Sequence, residues 1–358
     1  MLRAGANGGF SMSHSGPSCH LSACQRLTKL NRSGAHGARR ESGSSRVSTL
    51  PASFDRPKGK YRVTVALASQ EHIGPYRLLS IVKTGQTSQV WAVMKDSDKR
   101  RLAMKILLSE YRKDREHLSY LKQEAVVGRT LDHPCVIKIF EFAVDHNMPY
   151  LIMEYFPAPN MKEIILQVRE RVGHLMPKIV EGAAEGLAYF NQQGWIHRDI
   201  KPDNFLIIQE GDVKLIDFAL AQRKRGALGR LFGGRSKVQG TRSYMSPEQI
   251  RGEPLDERSD VYSFGCTIFH LLSGRAPYTG SNSNELLNKH LRAQLPSLEA
   301  QDHNITTEFG DLIRATMAKN PKSRPNSMSQ FLSEYRGLQI FKKPPAPPAT
   351  AATEENAS

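Results

Sequence analysis

The sequence predicts an α+β fold of two unequal lobes: a small, antiparallel, β-rich lobe with one main helix, then a larger, mainly helical lobe. Three observations lead to this prediction. Short apolar runs bounded by turn-type residues dominate positions 73–155. Longer apolar patterns with helical spacing dominate positions 156–336. Segments too poor in apolar residues to form a core flank this region on both sides.

The first 60 residues are rich in Ser, Gly and Arg, and Glu41 is the only acid up to position 54. This composition predicts a disordered basic arm, because it cannot bury enough apolar surface to fold. A transit peptide, or translated sequence ahead of a true start at Met12, would have a similar composition. Residues 337–358 are predicted to be a Pro/Ala-rich tail, and a short strand is predicted at Tyr61–Val65.

The small lobe is predicted from alternating and β-branched runs separated by turn-type residues. Its strands are expected at Tyr76–Val82, Gln89–Met94, Arg101–Leu107, Ile137–Phe142 and Tyr150–Glu154, with a helix from about Asp114 to Thr130.

The larger lobe is predicted from apolar residues three and four positions apart. Its helices are expected at Met161–Arg169, Leu175–Gln192, Asp260–Ser273, Asn284–Ala293, Thr306–Met317 and Ser327–Tyr335, with short strands at Phe205–Ile208 and Val213–Ile216. A cleft between two such lobes is the usual place for a ligand.

The formal net charge of +15 would suit nucleic acid, anionic lipid or acidic protein partners. The basic segments lack interleaved aromatic residues, so no specific nucleic-acid partner is expected. No apolar run reaches the roughly 18 residues of a transmembrane segment. The four cysteines lack the spacing of a disulfide framework or a zinc site, and this favours a reducing cytoplasm. The oligomeric state stays open.

The run His197-Arg198-Asp199-Ile200-Lys201-Pro202-Asp203-Asn204 places carboxylate, ammonium and amide groups within eight residues. Phosphoryl transfer needs such groups to orient the acceptor hydroxyl, neutralise the phosphates and hold a metal ion. The run resembles the catalytic loop of serine/threonine protein kinases. The resemblance implies that Asp199 orients the acceptor, Lys201 contacts the γ-phosphate and Asn204 ligates Mg²⁺.

Two downstream motifs extend the resemblance. Asp217-Phe218-Ala219 stands where the family has D-F-G, which implies that Asp217 is the second Mg²⁺ ligand. Ala219 replaces a glycine, so we expect a narrower choice of backbone conformations there. Thr241 resembles the threonine that bonds the catalytic Asp–Lys pair in kinases of protein serine and threonine residues.

The upstream motif Leu102-Ala103-Met104-Lys105 resembles the family's V-A-I-K strand. The resemblance implies that Lys105 contacts the α- and β-phosphates of ATP and that a helix glutamate holds it. Glu124 is the predicted partner because it lies on the expected helix ahead of His133-Pro134. Glu110, Glu116 and Glu141 are acids nearby in sequence and stay as alternatives.

The nucleotide pocket implied by the resemblance has an apolar sandwich around adenine, a gatekeeper at Met153 and a hinge that offers backbone groups. Its predicted residues are Val82, Gly85, Val90, Ala103, Lys105, Glu154, Phe156 and Leu206. The phosphate loop Lys83–Val90 keeps only Gly85 of the three glycines in G-x-G-x-x-G. Side chains at the other two positions predict looser clamping of ATP.

The segment Gln222–Lys237 contains six Lys/Arg residues and no acid. It is predicted either to attract acidic substrates or an anionic surface, or to be a solvated loop. Ser236 is the predicted regulatory phosphorylation site because its phosphate could pair with Arg198. Thr241 and Ser243 are the other available hydroxyls, and the structural role of Thr241 makes it a weaker candidate than Ser236.

The resemblance spans Ile73–Tyr335 and predicts a protein kinase domain over residues 73–336, with a small lobe at 73–155 and a large lobe at 156–336. It also implies a buried Glu248–Arg324 ion pair, and an Asp260 that braces the catalytic loop. Details of these strings are most similar to bacterial members. The predicted function is an ATP- and Mg²⁺-dependent protein serine/threonine kinase. The alternative is a pseudokinase that acts as a scaffold, which the degenerate phosphate loop and Ala219 favour.

Overall fold

The computed structural model of the protein describes residues 71–167, 172–224 and 238–347. The predicted basic arm, the predicted strand Tyr61–Val65, Ser236 and most of the basic segment before Thr241 lie outside these ranges. Within them, no helix is both long and apolar enough to cross a membrane.

The small lobe is a six-stranded antiparallel sheet in the order β1-β2-β3-β4-β6-β5. Its strands are β1 (His72–Ile73), β2 (Tyr76–Thr84), β3 (Ser88–Lys95), β4 (Arg101–Leu107), β5 (Ile139–Asp145) and β6 (Met148–Glu154). The five predicted strands are confirmed with small shifts at their ends. Strand β1 was not predicted, because two residues are too few to form a recognisable pattern.

The main helix of the small lobe, α1 (Arg115–Gly128), connects β4 to β5. Asp114 caps it by accepting hydrogen bonds from the backbone N–H groups of Glu116 and His117. One face buries Leu121, Ala125 and Val127 together with the carboxylate of Glu124. The cap and the apolar face therefore fix the helix so that one acid faces inward.

The large lobe is mainly helical, as predicted. Its helices are α2 (Met161–Gln167), α3 (Met176–Gln192), α4 (Pro247–Arg251), α5 (Arg258–Ser273), α6 (Ser283–Arg292), α7 (Thr307–Thr316) and α8 (Met328–Tyr335). Two small antiparallel pairs accompany them: β8 (Phe205–Ile207) with β9 (Val213–Leu215), and β7 (Trp195–Ile196) with β10 (Gln222–Arg223).

Helix α5 forms the centre of the large lobe, because every residue from Ser259 to Leu272 is buried. A helix that is buried all round must satisfy its polar side chains internally. Ser263 does so by donating to the carbonyl oxygen of Tyr244 at 2.7 Å. Asp260, near the first turn, accepts from backbone amides of the catalytic loop. The core of the lobe thus reaches directly to the predicted active site.

The packed body continues beyond α8 into the first residues of the predicted Pro/Ala-rich tail. Ile340 and Phe341 are buried, and Phe341 pairs with Ile305 in an antiparallel bridge. The backbone N–H of Thr306 donates to the carbonyl oxygen of Ile340 at 3.0 Å. Two apolar residues in a short irregular segment give no periodic signal, which is why the sequence pattern missed this contact.

Candidate active site

The catalytic loop is fixed by a buried carboxylate. Asp260 accepts hydrogen bonds from the backbone N–H groups of His197 at 2.8 Å and Arg198 at 2.9 Å. Arg198 has a left-handed backbone with φ of 71°, which a residue with a side chain adopts only when its surroundings enforce it. Its carbonyl oxygen accepts from the side-chain amide of Gln249 at 2.9 Å. The backbone N–H and the backbone carbonyl oxygen of Arg198 are therefore both hydrogen-bonded to side chains.

Asp199, the predicted catalytic carboxylate, lies between two predicted partners. The ammonium of Lys201 is 2.6 Å from Oδ2 of Asp199 and donates to the Thr241 hydroxyl at 2.9 Å. The backbone N–H and the hydroxyl of Thr241 both donate to Oδ1 at 2.8 Å. Burial would lower the pKa of Lys201, but the charge and hydrogen bond of Asp199, together with the charges of Asp217 and Asp203, outweigh it and raise that pKa. Lys201 therefore stays a cation.

The two predicted metal ligands lie beside this group. The side-chain nitrogen of Asn204 donates to the backbone carbonyl oxygen of Asp199 at 2.8 Å, which makes its amide oxygen the end suited to a cation. Asp217 has a φ of 68°. Among the described residues, no cluster of three or more His, Cys, Asp or Glu side chains could hold a metal ion. One carboxylate and one amide fit Mg²⁺, which takes its other ligands from phosphates and water.

Lys105 joins the two lobes. Its ammonium is 2.6 Å from Oε2 of Glu124 on α1 and 3.7 Å from Oδ1 of Asp217 in the large lobe. Burial would lower the pKa of Lys105, yet the charges of Asp217 and Glu124 outweigh it and raise the pKa. Burial likewise opposes ionisation of Asp217, but the charges of Lys105 and Lys201 and a hydrogen bond from the backbone N–H of Ala219 together bring its pKa below the ordinary value. Glu124 is therefore the partner, and Glu110, Glu116 and Glu141 are not.

The residues predicted to surround adenine come from both lobes. Val90 is the strand neighbour of Lys105, and Ala103 is the neighbour of the predicted gatekeeper Met153. Val82 is 46% exposed at the end of β2, as expected of an apolar group that faces a cleft. Leu206 lies on β8 of the large lobe. Val82, Val90 and Ala103 thus lie on the adjacent strands β2, β3 and β4, and Leu206 lies on the β8–β9 hairpin of the large lobe.

The predicted hinge carries an ion pair that the sequence did not reveal. Oε1 of Glu154 is 2.9 Å from the ammonium of Lys214 on β9. The backbone N–H of Glu154 donates to the carbonyl oxygen of Lys138 at 2.8 Å, and that of Ala158 donates to the carbonyl oxygen of Phe156 at 2.9 Å. The Glu154–Lys214 ion pair therefore ties the hinge to the large lobe.

The phosphate loop is a tight hairpin between β2 and β3. The N–H of Gly85 donates to the carbonyl oxygen of Ser88 at 2.8 Å. Lys83, at the position of a family glycine, extends its ammonium to within 4.0 Å of Oε1 of Glu163 on α2. Both side chains are nearly half exposed, so this contact contributes less than about 1 kcal/mol. It nonetheless spans the two lobes at the edge of the cleft.

Residues 240–249 form a segment that contacts Asp199 through Thr241, and we call this segment the platform. The buried guanidinium of Arg324 binds Glu248 through two bonds of 2.7 and 2.9 Å, as predicted. Ser246 and Gln249 form a capping box at the start of α4. Sequence reasoning missed Gln249, and also Asn191, whose side chain donates to Asp260 at 2.9 Å. Each is one of several polar residues on its helix, so the sequence gives no signal that singles it out.

Residues 76–335 match the family model described as the protein kinase domain. The chain belongs to the protein kinase family. The resemblance inferred from the catalytic loop and the predicted two-lobed fold are confirmed by this match and by the α+β architecture.

Several curated kinases are similar to this chain. Serine/threonine-protein kinase PknL of Mycobacterium tuberculosis is 30% identical over 249 residues, which cover 70% of this chain and 62% of PknL. PrkC of Bacillus subtilis is 31% identical over 255 residues, covering 70% of this chain and 38% of PrkC. PknB of Mycobacterium tuberculosis is 28% identical over 280 residues, covering 76% and 44%. The chain therefore spans less than two thirds of these relatives, all of which are bacterial serine/threonine kinases by name.

Proposed function

We propose that this kinase domain transfers the γ-phosphate of ATP to serine and threonine hydroxyls of protein substrates. The observation that carries the proposal is the contact of Lys105 with both Glu124 and Asp217, which joins the two lobes in one ion cluster. A chain that had lost phosphoryl transfer would have no need to keep this cluster together with the Asp199–Lys201–Thr241 group.

Each residue has a role that follows from its contacts. Asp199, held by Lys201 and Thr241, accepts the hydrogen bond of the attacking hydroxyl and orients it. Lys105 neutralises the α- and β-phosphates, and Glu124 keeps its ammonium in place. Lys201 contributes a second positive charge beside the transferred phosphoryl group, where charge stabilisation lowers the barrier most.

Asn204 and Asp217 are the proposed Mg²⁺ ligands. These residues would hold Mg²⁺, which would neutralise negative charge on the phosphates of the nucleotide. The lowered pKa of Asp217 supports this assignment, since the ligand carboxylate must be ionised. The hydrogen bond from Asn204 to the Asp199 backbone keeps the amide oxygen available for the same task.

The nucleotide would bind between Val82, Val90 and Ala103 above and Leu206 below, with the backbone of Glu154 and Phe156 at the adenine edge.

The proposed domain organisation is a basic arm over residues 1–60, a kinase domain from 73 to at least 343, and a tail beyond it. We propose a cytoplasmic location. The free thiols of Cys135 and Cys266 are compatible with a reducing compartment.

Regulation is proposed at the basic segment before Thr241. Phosphorylation of Ser236 would place a dianion that can pair with Arg198. Thr241 is a poorer site because its hydroxyl is bonded to both Asp199 and Lys201. The positive charge of the segment would attract acidic protein partners.

The test is transfer from γ-labelled ATP to a mixed protein substrate by the purified full chain, followed by analysis of the labelled amino acids. We expect phosphoserine and phosphothreonine, no phosphotyrosine, and no label with Asp199→Asn protein prepared in parallel. Nucleotide binding without any transfer would favour the scaffold function. Equal labelling by both proteins would indicate a contaminating kinase and leave the chain without demonstrated activity.

A further inference from the structure

We propose that Arg242 makes this kinase select substrates with an acidic residue close to the phosphorylated serine or threonine. The inference rests on the proposed function and adds a substrate class to it. It depends on where the platform holds Arg242, on what its guanidinium contacts, and on how far that side chain can reach.

The position of Arg242 relative to the catalytic carboxylate is fixed by its neighbour. Thr241 donates two hydrogen bonds to Oδ1 of Asp199, one from its backbone N–H and one from its hydroxyl, both at 2.8 Å. The α-carbon of the next residue is about 3.8 Å further along the chain. The α-carbon of Arg242 therefore lies close to the position that the acceptor hydroxyl must occupy.

The platform beyond Arg242 is anchored in the core of the large lobe. The hydroxyl of Tyr244 forms a 2.7 Å hydrogen bond with Nδ1 of His270. The backbone carbonyl oxygen of Tyr244 accepts a hydrogen bond from the Ser263 hydroxyl at 2.7 Å. Both partners lie on the buried helix α5. This backbone cannot shift without breaking buried hydrogen bonds, so residue 242 is a fixed point of the substrate surface.

The side chain of Arg242 is exposed, and it is directed towards α6. Its guanidinium donates to the hydroxyl of Ser283, the first residue of that helix, at 2.5 Å. Within the described ranges, no carboxylate lies at ion-pair distance from it. The acid nearest in sequence on α6, Glu285, is occupied by Lys289 at 2.8 Å and by Ser281. Arg242 thus offers a positive charge that the described surface does not neutralise.

The reach of the side chain limits which substrate positions it can contact. An extended peptide rises about 3.3 Å per residue, and an arginine side chain extends about 7 Å from its α-carbon. The guanidinium can therefore meet side chains about two residues from the acceptor, or about three where the acidic side chain itself extends towards it. Its planar fork suits a carboxylate, which it can bind through two hydrogen bonds.

The test uses a serine peptide library randomised at the four positions on each side of the acceptor, phosphorylated by the full-length protein. We expect Asp and Glu to be enriched about three- to ten-fold at one or more positions within three residues of the serine, as a partly solvated ion pair allows. Arg242→Lys should keep part of this enrichment. Arg242→Gln should abolish it, and Arg242→Glu should favour Lys and Arg at the same position.

The matched control is Arg275→Glu. Arg275 is exposed and follows the end of α5, a 16-residue helix whose first turn holds Asp260 against the catalytic loop. At about 1.5 Å per residue it lies more than 20 Å from that turn. The same charge reversal there should leave the preference unchanged, which separates a local contact from an effect of net charge.

The possible results distinguish this inference from the proposed function. Phosphorylation of the library by wild type without acidic enrichment would overturn the role of Arg242 and leave the kinase activity standing. An identical acidic preference in wild type and Arg242→Glu would assign it to other cations and also overturn the inference. No transfer by wild type would remove the proposed function and the inference together.

Discussion

The catalytic loop His197–Asn204 and the phosphate loop Lys83–Val90 serve the same cleft, but they are held in different ways. In the catalytic loop, backbone and side chains are bonded to Asp260, Gln249 and Thr241, which are themselves buried or anchored. In the phosphate loop, the bonds at the tip are between backbone groups: the N–H of Gly85 donates to Ser88, and the carbonyl oxygen of Thr87 accepts from Leu108. Residues 81–86 are exposed. The residues of the proposed chemistry are therefore tied to the core, whereas the proposed nucleotide clamp is a surface hairpin.

This difference has a physical origin. A carboxylate that must orient a hydroxyl needs positional accuracy of a few tenths of an ångström, which buried hydrogen bonds provide. A phosphate loop contributes mainly backbone N–H groups, and glycines allow their close approach. Without two of these glycines, we expect the phosphate loop to affect ATP affinity and the catalytic loop to affect the transfer step.

The largest effect is expected at the ion cluster that joins the lobes. Lys105→Met leaves the carboxylates of Glu124 and Asp217 facing each other without a cation, and we expect transfer to fall about 10²- to 10³-fold. The measurement is initial rate at saturating ATP. Lys122→Met, an exposed position on the same helix α1, is the control and should retain the wild-type rate.

The next effect concerns the platform below the catalytic loop. Arg324→Met leaves Glu248 as a buried, unpaired carboxylate, which should lower the free energy of unfolding by about 3–5 kcal/mol. Chemical denaturation measures this change. The double variant with Glu248→Leu should recover much of the stability, because it removes the unpaired charge. Equal destabilisation in the single and double variants would contradict this role of the pair.

A smaller effect is expected from pH. Burial lowers the pKa of His270 and His290 to about 4, from an ordinary value of 6.5. The unfolded chain therefore binds protons that the folded protein excludes. The contribution of these histidines to the free energy of unfolding is fully present above pH 6.5. It is lost as the pH falls towards 4, by up to ~3 kcal/mol per histidine.

Thermal unfolding of wild type and His290→Gln between pH 7.5 and 5 tests this expectation. Glutamine can still accept the hydrogen bond that the Tyr262 hydroxyl forms with Nδ1 at 2.9 Å, but it cannot be protonated. The variant should lose less stability than wild type over this range. A parallel fall in both proteins would exclude His290 as a source of the acid sensitivity.

The smallest effect is expected at the phosphate loop. Lys83→Gly together with Ser88→Gly should tighten ATP binding by a few-fold, roughly 1 kcal/mol, because backbone amides can then approach the phosphates. The transfer rate at saturating ATP should change little. Glu163→Gln removes the charge that faces Lys83 and tests whether the ion pair itself matters. Weaker ATP binding in the double-glycine variant would mean that Lys83 contributes to the nucleotide site.

Much of the fold could be predicted from the sequence because apolar residues recur at regular spacing along its long helices and strands. The helix expected from Leu175 to Gln192 and the strand from Arg101 to Leu107 appear almost unchanged as α3 and β4. The pairs β1–β2 and β7–β10 were missed because strands of two residues have no pattern. The buried segment around Ile340 was missed for the same reason.

The site residues were predictable where they belong to motifs and not where they act alone. Lys105, Asp199 and Asp217 lie in ordered strings of residues. The ion pairs Glu154–Lys214 and Lys83–Glu163 join residues 60 and 80 positions apart, and no motif links the two partners of either pair. Such pairs form only when tertiary structure brings two surfaces together, so a single sequence does not contain the information.

The central claim is that Asp199 acts on the transfer step and that nucleotide binding is a separate property of the cleft. The most direct measurement compares wild type and Asp199→Asn for both the dissociation constant of Mg·ATP and the single-turnover transfer rate. We expect dissociation constants within about two-fold of each other and a transfer rate at least ~10²-fold lower in the variant. Equal transfer rates, or loss of ATP binding with no further loss of rate at saturation, would contradict the claim.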